Sequence, residues 1–173
     1  ANDDLPIVID HRGALASAAK TFRADDFTIL SLVLYATWLE HWLNAMISVA
    51  AGKQGLTHAQ SKDLIRAASI PSKLDWVFTL LLFPPLDEPF RSAMLDLASE
   101  RNACVHYTYA SRTSAEHALE AAKLRRIAGD AESLLDYLTR FEGRHQMAGA
   151  GMFTELLFGA NVELTPRPRM ADA

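Results

Sequence analysis

Between Phe27 and Leu39 the chain carries thirteen residues without a charge, and then meets Glu40 and His41. Crossing a bilayer as a helix takes about 20 consecutive apolar residues, so this run is too short to span a membrane and reads as a helix buried in protein. Its apolar residues recur at helical spacing. Phe27, Leu30, Leu34, Trp38 and Trp42, flanked by Ile29, Val33 and Leu43, make a wide apolar face. Such a face must be covered over much of its circumference, and other helices are the economical cover.

The rest of the chain supplies them. An Ala-rich segment from Gly13 to Phe22 reads as a shorter helix. Asp25 or Asp26 suits the start of the central helix, and Gly52 to Gly55 suits its end. Thr57 can cap a helix running to about Ala68. Pro71 fits a first helical position and opens a segment reaching Phe83, where Pro84 and Pro85 break it. Asp87, with Glu88 and Pro89, starts a helix running to about Tyr109. Thr113 and Glu116 have the spacing of a capping box. The long helix behind it runs through Leu119, Leu124, Ile127, Leu134, Leu135, Leu138 and Phe141, and Gly129 is a point where it can bend. The expected fold is all-α, an antiparallel helical bundle of about five to seven helices. One domain spans residues 1–165, with a flexible tail over 166–173.

Composition narrows function by exclusion. Half the 173 residues are hydrophobic and 22% are charged, too apolar for a disordered chain. Net charge is −4, whereas proteins that coat nucleic acid by bulk charge are basic, so any RNA contact here is local and transient. The single cysteine, Cys104, excludes an intramolecular disulfide and fits a reducing compartment. The acidic start of the chain lacks the basic-then-apolar order of a signal peptide, so a cytoplasmic location with no membrane partner is expected. Glycine-rich phosphate loops and the C-x-x-C or H-x-H spacings of zinc sites are missing, and neither cofactor nor metal is expected.

Chemistry concentrates around arginine and histidine. An Arg followed by a His five to seven residues later occurs three times: Arg101/His106, Arg112/His117 and Arg140/His145. With 12 Arg and 6 His, about one such match arises by chance, so spacing alone decides nothing. Arg112 falls in a turn, and Arg140/His145 sits at a helix C-terminus, where cations complement the dipole in any case. Arg101/His106 lies inside the helix that starts at Asp87. There Asn102, His106 and Tyr109, at i, i+4 and i+7, share a stripe, and Arg101 is long enough to reach the same locus. Taken alone, these residues fit an active site or a solvated polar stripe equally.

Other signals are weaker. Glu142 and His145 form a lone E-x-x-H, whereas di-iron bundles need two with further glutamates. His11, His41 and His58 stand singly, and Trp38, Trp42 and Trp76 at helical spacing read as core rather than as base-stacking platforms. Cys104 reads as a small packing residue.

The segment Arg101-Asn-Ala-Cys-Val-His106 resembles the ribonuclease signature of the HEPN superfamily (higher eukaryotes and prokaryotes nucleotide-binding), an Arg, four to six residues and a His, with a polar residue directly after the Arg. The segment from Tyr35 to Ile47 is similar to that family's early helix, which carries a Glu and an Asn one turn apart; here these are Glu40 and Asn44. The resemblance covers roughly residues 24–145. It implies a metal-independent endoribonuclease, a toxin or defence effector, that cleaves RNA through the 2′-hydroxyl at a dimer-interface site. Arg101, Asn102 and His106 would be catalytic, with Glu40, Asn44, Tyr107 and Tyr109 in support. Glu40 would hold Arg101 in place. One histidine rarely serves as both acid and base, so a homodimer is expected. Some family toxins pair with a nucleotidyltransferase antitoxin that modifies a Tyr two positions after the His. Here that position is Thr108, flanked by Tyr107 and Tyr109. The alternatives are a non-catalytic HEPN-like module binding a nucleotide or protein, and a plain helical interaction protein.

Overall fold

The computed structural model describes residues 10–106 and 113–145. Within them lie six helices and no strand: α1 (Arg12–Ala24), α2 (Thr28–Lys53), α3 (His58–Ala67), α4 (residues 70–80), α5 (Glu88–Val105) and α6 (Ser114–His145). One stretch of α4, Lys73–Val77, is wound as a π turn. The expected tail over 166–173 lies outside the described residues, as do Tyr107, Thr108, Tyr109 and Arg112.

The chain is an all-α bundle built around α2, which packs against α1, α3, α5 and α6. Leu32, Leu39, Trp42, Leu43, Met46 and Ile47 of α2 are sealed from solvent. Cross-helix pairs set the directions. Arg12 reaches Glu142 at 2.8 Å and Arg23 reaches Glu132 at 2.6 Å, so α1 runs antiparallel to α6. Phe90 stacks on Tyr137 at 3.9 Å while Glu100 pairs with Lys123, so α5 is antiparallel to α6 as well. Tyr35 donates to Glu132 and Trp42 meets Phe141, so α2 runs in the same direction as α6. Burial and Glu132 together push the Tyr35 phenol up to about 12.

Local signals explain most boundaries. Thr57 and Gln60 form a reciprocal capping box at the start of α3. Thr113 and Glu116 do the same before α6, at 2.7 Å and 3.3 Å. The Asp87 N–H donates to the Tyr137 hydroxyl at 3.0 Å, tying the start of α5 to α6.

Three helices end in one motif, a left-handed residue with two backbone hydrogen bonds folding back. Gly55 at φ 83 ends α2, Asp26 at φ 62 ends α1, and Leu82 at φ 59 ends α4. In the last two an aromatic pair closes the turn: Phe22 on Phe27 and Phe78 on Phe83.

Several expectations need correction. Neither Asp25 nor Asp26 caps α2; Phe27 stands at its cap, because both aspartates are used in ending α1. Phe27, Ile29 and Leu30 are about half exposed, since the first turn of α2 borders an open groove of 560 Å³ facing His117, Ala121 and Leu124 of α6. Leu119 is exposed as well. Helix α4 stops at Leu80 rather than Phe83, because the chain turns left-handed at Leu82. Trp38 and Trp42 are core, but Trp76 is half exposed. Gly129 sits within an unbroken α6.

Candidate functional site

Arg101 sits in the last turns of α5, about one-third exposed. Its Nη2 lies 3.6 Å from Oε2 of Glu40 on α2, and its Nη1 donates to Oδ1 of Asn102 at 3.0 Å. One turn beyond Glu40, Asn44 accepts a hydrogen bond at 2.8 Å from Nζ of Lys73, which comes from the π turn of α4. Three helices therefore deliver Glu40, Asn44, Lys73, Arg101 and Asn102 to one polar cluster.

His106 stands apart. Helix α5 ends at Val105, short of the expected Tyr109, and His106 is its C-cap. The ring is exposed and makes no hydrogen bond among the described residues. At 3.6 residues per turn, Arg101 and His106 are separated by about 140° around the helix. Asn102 and His106 do share a stripe, joined by the backbone bond from His106 N–H to the Asn102 carbonyl at 3.0 Å. Asn102 itself turns toward Arg101 rather than toward the imidazole. Tyr107 and Tyr109 lie outside the described residues.

Lys73 was not among the residues the sequence singles out. The residue is 3% exposed, yet its hydrogen-bond partner is a neutral amide. Burial lowers its pKa below the usual lysine range, and the charge of Glu40 works against that shift. The signal was present in the pattern: Lys73 falls on the stripe of Ile70, Leu74, Val77 and Leu81, where a charge is costly unless it has partners. Glu100 is a second case, a buried carboxylate adjoining Arg101 and paired with Lys123, whose pKa that contact raises.

The other candidate patterns have separate uses. Glu142 clasps Arg12, and His145 packs against the Phe141 ring at 4.5 Å. Asp10 also binds Arg12, which holds the Asp10 carboxyl below the usual carboxylate range. No group of three or more His, Cys, Asp or Glu side chains is placed to hold a metal among the described residues. The 560 Å³ groove includes neither Arg101 nor Glu40, so the polar cluster lies open at the surface rather than in that recess.

Chemically, the cluster offers a guanidinium whose direction is set by a carboxylate and an amide, suited to the oxygens of a phosphate or carboxylate. No family model, curated protein or solved structure matches this chain.

Proposed function

We propose that the chain is a metal-independent endoribonuclease of the HEPN type, acting as a homodimer, with Arg101, Asn102 and His106 as its catalytic residues. The observation that carries this reading is the contact of Arg101 with Glu40 across two helices, beside Asn102. A guanidinium held in this way pairs with the non-bridging oxygens of a scissile phosphate and stabilises charge as it builds there. The 2′-oxygen forms a bond to phosphorus while the bond to the 5′-oxygen breaks, leaving a 2′,3′-cyclic phosphate. The imidazole of one protomer takes the 2′-hydroxyl proton, and that of the other delivers a proton to the departing oxygen. Histidine suits both steps because its ordinary pKa of about 6.5 lies near neutrality. The openness of the cluster supports a site completed by a second copy. A cytoplasmic toxin or defence effector, with a nucleotidyltransferase-type antitoxin as partner, fits such an activity.

One observation favours a second reading. His106 has no partner among the described residues to fix its tautomer, as a non-catalytic module binding a nucleotide or protein through Arg101 would allow. Purified protein on a single-stranded oligoribonucleotide separates the two. The nuclease reading expects cleavage that survives EDTA and falls at least about 100-fold in Arg101→Ala and His106→Ala. Binding without cleavage, unchanged by His106→Ala, selects the module. Loss of cleavage in EDTA refutes the mechanism.

A further inference from the structure

Lys73 is a buried cation whose one described hydrogen bond goes to Oδ1 of Asn44, at 2.8 Å. An ammonium has donors only, so the contacting atom of Asn44 must be its oxygen, and the usual ambiguity of an amide's orientation does not arise. The amide nitrogen of Asn44 then points away from the buried ammonium. Among the described residues, the buried side-chain polar atoms lacking a partner are Ser31 Oγ and the Trp42 indole nitrogen. Asn44 Nδ2, with no hydrogen bond among the described residues, is therefore open to solvent. Glu40, one turn before Asn44 on α2, directs Arg101. Two N–H donor groups from neighbouring elements thus have their directions set, one by a carboxylate and one by a buried lysine.

We infer that Lys73 is a positioning residue: by holding Oδ1 of Asn44 it presents Nδ2 as a fixed donor, which with Arg101 receives the non-bridging oxygens of a phosphodiester. This rests on reading the Arg101 cluster as an RNA-cleaving site. Lys73 opens the π turn over Lys73–Val77, on a stripe otherwise filled by Ile70, Leu74 and Val77, and π turns recur at functional sites. Lys73 does not itself touch the substrate, being only 3% exposed.

Asn44→Asp separates positioning from simple structural support. The substitution keeps an oxygen facing Lys73, now as an ion pair, and removes the Nδ2 donor. A structural role expects a stable and active variant. The positioning role expects a melting temperature at or above that of the wild type, with cleavage of a single-stranded oligoribonucleotide reduced about 100-fold, the usual effect of losing one preorganised donor. Lys73→Met should also fold, and should lose about 10-fold or more in kcat with KM little changed, because the freed amide is misoriented rather than absent. Wild-type rates in either variant, with Arg101→Ala inactive, overturn the inference while leaving the nuclease reading intact. A wild type that leaves the oligonucleotide uncut refutes the nuclease reading and this inference with it.

Discussion

Lys73→Met should make the fold more stable while harming the site. In the wild type the ammonium is almost fully enclosed, and its described hydrogen bond is to a neutral amide. Removing an ion from water costs several kcal/mol after relaxation, and replacing buried ionic groups with apolar ones of similar volume is often neutral or stabilising by about 1–4 kcal/mol. That net range already contains the lost hydrogen bond from a charged donor, worth about 1.5–3 kcal/mol, and the modest attraction to Glu40 places Lys73 in its lower half. Asn44 is only half buried, so water can replace the lost partner. The balance is a gain of about 1–2 kcal/mol near neutral pH. For a chain of this length that is about 2–8 °C in melting temperature. The gain should also depend on pH. Burial lowers the folded-state pKa of Lys73 below its ordinary 10.5, so folding disfavours the protonated form. The wild type carries the full penalty below the folded pKa, and recovers as pH rises from there toward 10.5. Urea unfolding of both proteins at pH 7 and at the alkaline end should therefore show the difference shrinking. A methionine variant less stable at pH 7, or a gap constant with pH, refutes the argument.

Leu82 is 83% exposed at φ 59, a conformation in which a side chain costs about 1–2 kcal/mol. Leu82→Gly should stabilise the protein by about 1 kcal/mol in thermal or urea unfolding; a destabilised variant would show that Leu82 packs in solution. Tyr137→Phe removes the hydroxyl that accepts from Asp87 N–H and keeps the stack on Phe90, so it should lower stability by about 1 kcal/mol. Tyr137→Ala should lower it by about 3–5 kcal/mol, and equal losses in the two would mean that the ring contributes little.

The fold was legible where a boundary rests on local chemistry. Thr57 and Thr113 mark helix starts through cap bonds, and Pro71 and Pro89 through proline's fit to a first turn, while Asp87 stands at the start of α5 without a side-chain cap bond. The misses have tertiary causes. Asp25 and Asp26 have the composition of a cap, but the close return from α1 to α2 uses them as a terminator. Phe27, Ile29 and Leu30 match the helical period, yet periodicity cannot reveal that nothing described covers that turn. In the candidate site, the pairing of Glu40 with Arg101 was readable only through the family resemblance. Lys73 was not found although it falls on an apolar stripe, because a lysine in such a place ordinarily lays its stem on the stripe and its ammonium in solvent.

The π turn has a consequence for how this chain tolerates insertion and deletion. Such a turn holds one residue more than an α turn in the same helix. Deleting a single residue such as Asp75 would let Lys73–Val77 close into regular helix with little loss of backbone bonding. The halves on either side would keep their relative orientation, because the residue removed is the one that the wider turn absorbs. The same deletion in a regular turn, as in α5, would rotate the halves by about 100° and part Arg101 from Glu40. The chain thus has a place, beside the buried lysine, where it can lose a residue and keep both the bundle and the contact of Lys73 with Asn44.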